Sequence, residues 1–113
     1  MRIESRKLLL DVEAAGRSIQ QFTQGVSFST YERSELLRAA TERKFEIIGE
    51  ALARLRDTDA NAFTRISEGN AIIAFRHRII HGYDTVDDDI VWDAVQNKLP
   101  ILLTEIRSLL QQD

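Results

Sequence analysis

The chain has no cysteine among its 113 residues. That excludes a disulfide framework, a thiolate metal site and a cysteine nucleophile, and it fits a reducing, cytoplasmic setting. One proline and five glycines leave no room for collagen-like repeats, flexible linkers or a turn-rich β sandwich. The longest leucine run near the N-terminus, Leu8 to Leu10, ends at Asp11. No segment therefore has the apolar length of a signal peptide or membrane span, and a soluble protein is expected. Fifteen basic against eighteen acidic side chains give a net charge of -3, so no global positive field advertises nucleic acid. Any RNA or DNA contact has to be local.

What is present is helical periodicity. From Ile3 to Gln24, Leu8, Val12, Ala15, Ile19 and Phe22 recur at three- and four-residue steps with charges between them, the pattern of an amphipathic helix. Ser29 or Thr30 offers a cap for a second helix, whose apolar stripe runs through Leu37, Ala40, Ile47, Ile48, Ala51, Leu52 and Leu55 and stops near Asp57 to Asp59. Asp59 can cap a short helix over residues 60–67. Glu68-Gly69-Asn70 then reads as a break before the apolar segment Ala71 to Phe75. Beyond Gly82-Tyr83-Asp84, Thr85 or Asp87 is a cap, and the acid run Asp87 to Asp89 sits where carboxylates favour the positive end of a helix dipole. The last helix carries Val91, Leu99, Leu102, Ile106 and Leu109, and Pro100 inside it predicts a kink near residues 96–99. With no repeat and no linker, residues 1–113 read as one all-α domain, an up-and-down bundle of four long helices plus a short one.

Polar chemistry concentrates in residues 75–84, where both histidines stand with Arg76, Arg78 and Tyr83. Two chemistries fit. His77 and His81 are separated by four residues, the spacing with which paired imidazoles hold zinc on one helical face. Against that, Arg78 occupies the place where a zinc-protease helix carries its general base, and a third ligand would have to fold back from Asp84, Asp87 or Asp88. The other chemistry is phosphodiester cleavage. RNA carries its own nucleophile, the ribose 2′-hydroxyl, so an enzyme needs a proton acceptor, a proton donor and a counter-charge, with no metal demanded. His81 can move the proton and Arg76 can present a bidentate fork to phosphate oxygens. On a continuous helix these two side chains point about 140° apart. That difficulty eases if the helix ends at Gly82 or if a second subunit completes the site across a twofold axis.

Elsewhere, Gly49 in mid-helix reads as a close helix crossing. Glu50 either reaches the site to orient Arg76 or a histidine, or forms a surface ion pair. Trp92 belongs to the core or to a dimer interface.

At these residues the sequence resembles the HepT-like toxins of the HEPN ribonuclease superfamily. Their motif is Arg, a polar residue usually Asn, three residues, His, one residue, Tyr, and it is matched here by Arg76, His77, Arg78-Ile79-Ile80, His81, Gly82 and Tyr83. His77 stands where the family usually has Asn. Ile47-Ile48-Gly49-Glu50-Ala51 is similar to the family's second-helix signature, and Val86-Asp87, Ile90-Val91-Trp92 and Leu99-Pro100 to its last helix.

The resemblance implies a metal-independent endoribonuclease without cofactor, acting as a homodimer on tRNA or mRNA. Arg76 would bind and polarise the phosphate and His81 would act as the acid–base group. It also implies neutralisation by an MntA-type nucleotidyltransferase antitoxin that transfers AMP to Tyr83, filling the cleft with negative charge. The extra imidazole at His77 either assists or impairs catalysis, and His77, Arg78, Tyr83 and Glu50 are carried as supporting positions. The alternative from another class is a catalytically silent dimerisation module that binds the nucleotidyltransferase partner.

Overall fold

The computed structural model describes residues 1–82 and 86–112, and among them every regular element is helical. Helix α1 (Ile3–Thr23) turns Leu9, Val12, Ala15 and Ile19 inward. Val12, Ala15 and Ile19 are buried as the periodicity predicts, whereas Leu8 and Phe22 of that stripe are only half-buried and Leu9, outside it, is fully buried. Its chain leaves through Gly25, whose φ of 71° lies in the left-handed region open to glycine. Helix α1 packs along α3 (Glu35–Thr58) and against α7 (Leu99–Gln111). The core closes between them on Ile48, Leu52 and Leu55 from α3 and Leu99, Leu102, Leu103 and Ile106 from the C-terminal helix. The protein is therefore an all-α bundle, as the sequence predicts.

The second predicted helix is in fact two. A short α2 (Phe28–Arg33) is capped by Ser27, whose hydroxyl accepts from the Thr30 N–H at 3.1 Å. Ser34 then leaves helical geometry (φ -107°, ψ 103°) and caps α3 through the Leu37 N–H. The caps are thus Ser27 and Ser34 rather than Ser29 or Thr30. The break lets α2 swing Tyr31 fully into the core, where its ring lies 5.1 Å from that of Trp92. A continuous helix has no corner at which to do that.

Asp59 caps the short α4 (Ala60–Phe63) by accepting from Ala62 N–H, and it also accepts from Ser5 Oγ at 2.6 Å, tying α1 to the corner. Helix α4 is shorter than the predicted 60–67 span, and the chain finishes that span in turns. The break lies at residues 64–68 rather than 68–70. Glu68 is the N-cap and Gly69 already the first residue of α5 (Gly69–His81), where the Phe63 ring lies so close that a Cβ at position 69 would come within 2.6 Å of it. Packing, not backbone freedom, selects the glycine.

Asp87 caps α6 (Asp88–Asp93), accepting from the Asp89 N–H at 2.8 Å. The chain then widens into a π turn over Ala94–Lys98, in which the Leu99 N–H reaches back five residues to the Ala94 carbonyl. Pro100 follows in the first turn of α7. The irregularity predicted near residues 96–99 is this widened turn, which places the proline where a missing N–H costs least.

Candidate functional site

Helix α5 carries the motif, and α3 fixes its position. Ile72 and Ile79 are buried, and Phe75 meets Phe45 of α3 edge to face at 5.2 Å between ring centroids. Gly49 of α3 lies directly beneath Arg76. A Cβ at position 49 would stand 2.3 Å from Arg76 Cβ and 2.8 Å from its Cδ. The missing side chain is the groove in which the arginine stem lies. Arg76 is half-buried as a result, and its Nε is buried with no hydrogen-bond partner among the described residues. An unpaired guanidinium N–H is costly to bury, so this end of α5 holds a donor in want of an acceptor.

The histidines stand on another face. With α5 helical through His81 and closed by the Gly82 N–H donating to the Arg78 carbonyl at 2.8 Å, His77 and His81 project opposite the core side and are both exposed. Their ring centroids are 4.3 Å apart. Arg76 and His81 therefore point about 140° apart on one helix, and this chain alone does not bring them onto one face. His81 is the last helical residue.

Arg78 is exposed and takes a third direction. It lines an apolar groove of about 330 Å³ between α5 and the α6–π-turn–α7 segment, with Phe75, Ile90, Ala94, Leu99 and Leu102. Lys98 and Glu68 face each other across the groove at 3.9 Å. Sequence reading missed this groove. Glu50 is exposed and pairs with Arg54 at 3.0 Å, the surface ion pair of its two readings. Tyr83 and Asp84, and with them the position assigned to adenylylation, lie outside the described residues. Trp92 is half-buried between Tyr31 and Phe28.

Among the described residues no three His, Asp or Glu side chains converge as a metal cage. There the zinc-protease reading lacks the third ligand it needs. No described helix is long and apolar enough to cross a membrane.

A second polar cluster, also missed, sits behind Trp92. Burial pushes the Tyr31 phenol well above its ordinary value, with the Glu42 and Asp88 carboxylates adding to the effect. Burial likewise raises Glu42, and Asp88 adds to it.

Comparison with known proteins decides the family. Residues 12–109 match the family described as Ribonuclease HepT-like. The chain belongs to the HepT-like ribonuclease family. Among its relatives, "Putative RNase MJ0127" of Methanocaldococcus jannaschii is 27% identical over 94% of this chain and 87% of its own. "Probable ribonuclease HepT" of Thermococcus cleftensis is 27% identical over 96% and 98%. "Putative RNase TTE0752" of Caldanaerobacter subterraneus is 28% identical over 79% of each. No solved structure matches significantly. For a HepT-like chain, the family match spans α5 and its arginine and histidines from end to end.

Proposed function

We propose that this HepT-like protein is a metal-independent endoribonuclease whose site is completed between two copies of the chain, with Arg76 from one and His81 from the other. The observation that carries this reading is the splayed pair: a half-buried arginine lodged over Gly49 and an exposed histidine ending the same helix, about 140° around from it. Each face has half of what phosphodiester cleavage requires, and a twofold axis beside the end of α5 would supply the other half.

In that arrangement Arg76 grips the scissile phosphate and offsets the charge that builds on its oxygens. His81 takes the proton of the ribose 2′-hydroxyl and, as the imidazolium so formed, returns one to the leaving 5′-oxygen. The products are a 2′,3′-cyclic phosphate and a free 5′-hydroxyl. No other nucleophile enters. In the cell the protein acts as the toxin of a two-gene system on tRNA or mRNA, and a nucleotidyltransferase antitoxin silences it by adenylylating Tyr83.

The test is cleavage of total RNA in EDTA by wild type, Arg76→Ala and His81→Ala, with analysis of product ends. Cyclic phosphate ends in wild type, and rates lowered by about 10²-fold or more in both variants, are expected. Undiminished cleavage in both would overturn the assignment. No cleavage by unmodified wild type leaves the silent dimerisation module as the better reading.

A further inference from the structure

The two histidines are placed as a chelating pair. His77 and His81 lie one turn apart on the exposed side of α5, ring centroids 4.3 Å apart and planes tilted by 43°. An imidazole nitrogen sits about 2.0–2.1 Å from a bound zinc ion, which puts the ring centre about 3 Å away. Two such rings at right or tetrahedral angles are then about 4.5–5 Å apart. The observed spacing is within reach of that by small rotations of surface side chains. Nothing competes for the rings: among the described residues neither carries a hydrogen bond or ion pair.

The fixed cation that the sequence sets beside them lines a smaller pocket of its own. Arg78 stands there with Phe75, Ile79 and Ile90, three residues before His81 and about 60° around the helix from it. Arg76 is drawn down onto Gly49.

We propose that His77 and His81 form an inhibitory site for a late first-row divalent cation, Zn²⁺ foremost. Each neutral imidazole gives one nitrogen lone pair, and water completes the coordination. The ion is no cofactor. It occupies the lone pair with which His81 would move a proton, so the bound form is silent. Borderline cations suit this pair, whereas Mg²⁺ and Ca²⁺ prefer oxygen ligands and leave it empty. Inhibition rests on the nuclease reading; binding does not.

The experiment has two arms with untagged protein whose folding is checked by circular dichroism. In the first, calorimetry with ZnCl₂ compares wild type, His77→Asn and His81→Ala, with MgCl₂ as control. Loss of either imidazole is expected to weaken zinc binding by about tenfold or more, since one ligand does not chelate. Equal binding by wild type and His77→Asn would overturn the site. In the second, RNA cleavage with and without Zn²⁺ is expressed relative to each protein's own metal-free rate. Wild type is expected to lose activity over the concentration range in which it binds, and His77→Asn to keep its own rate there. Full wild-type cleavage at saturating Zn²⁺ would overturn the inhibitory role. Zinc binding as expected with no cleavage by any protein would instead sink the nuclease reading and leave the metal pair standing.

Discussion

Gly49 of α3 and Arg76 of α5 share one space: a Cβ at position 49 would stand 2.3 Å from Arg76 Cβ, 2.8 Å from Cδ and 2.9 Å from Cγ. The first of these atoms belongs to the root of the side chain and cannot swing aside, so an added methyl group pushes the helices apart or displaces the arginine. Gly49→Ala is accordingly expected to lower stability by about 1–3 kcal/mol despite alanine's better helix propensity. It is also expected to reduce RNA cleavage, because Arg76 loses its seat. Urea unfolding and cleavage assays on the same preparation check both. A variant as stable and as active as wild type would mean that the crossing yields freely and Gly49 does not position Arg76.

The divided arrangement of Arg76 and His81 makes a quantitative prediction for mixed dimers. Arg76→Ala and His81→Ala homodimers each lack one component at both sites. In a heterodimer of the two variants, one site has neither component and the other has both. Random reassortment makes half the dimers mixed, each with one intact site of two, so about a quarter of wild-type activity is expected. The measurement is cleavage after the two purified variants are unfolded and refolded together. A site contained within one chain gives no recovery.

Much of this was legible in the sequence, and the exceptions share a cause. Asp59 and Asp87 were readable as caps because a side chain meeting an amide two or three residues ahead is a local event. The stripes of α1 and α3 and the irregularity ahead of Pro100 were readable for the same reason. Ser34 was not, because the apolar pattern continues across it, and only the burial of Tyr31 against Trp92 gives the corner its purpose. Gly69 was misread as a break because propensity counts the backbone alone, and the Phe63 ring that selects it comes from α4. In the candidate site, residues 76, 77 and 81 stood out by type and spacing. The groove beside Arg78 did not, since it depends on how far α5 stands from α6 and α7.

Asp59 gives a pH dependence of definite sign. The Ser5 hydroxyl holds its carboxyl below the ordinary carboxylate value against the opposing effect of burial, with lesser help from the Ala62 N–H and the Arg2 cation. A carboxyl depressed in the folded state contributes stability above its unfolded value, and that contribution fades as pH falls through the folded one. Removing the cap by Asp59→Ala is expected to cost about 0.5–2 kcal/mol at pH 7. The gap between variant and wild type is expected to shrink below about pH 4 as the carboxylate of wild type protonates. Urea midpoints at pH 7 and pH 3 measure it. A gap that is constant across that range would show that the charge of Asp59 contributes nothing to the cap.

Tyr31 offers a stabilising substitution. Its side chain is 0% exposed, and its hydroxyl has no hydrogen-bond partner among the described residues. Burial and the nearby Glu42 and Asp88 carboxylates keep the phenol protonated. The oxygen is shut off from bulk solvent and meets no protein partner among the described residues, whereas the ring packs on Trp92. Tyr31→Phe keeps that ring and removes the stranded hydroxyl, so a gain of about 1 kcal/mol is expected. For a domain of this size that raises Tm by about 4 °C or more, read by thermal unfolding at neutral pH. A lower Tm would show that the hydroxyl is hydrogen-bonded in solution, by a buried water or by a carboxylate that turns toward it.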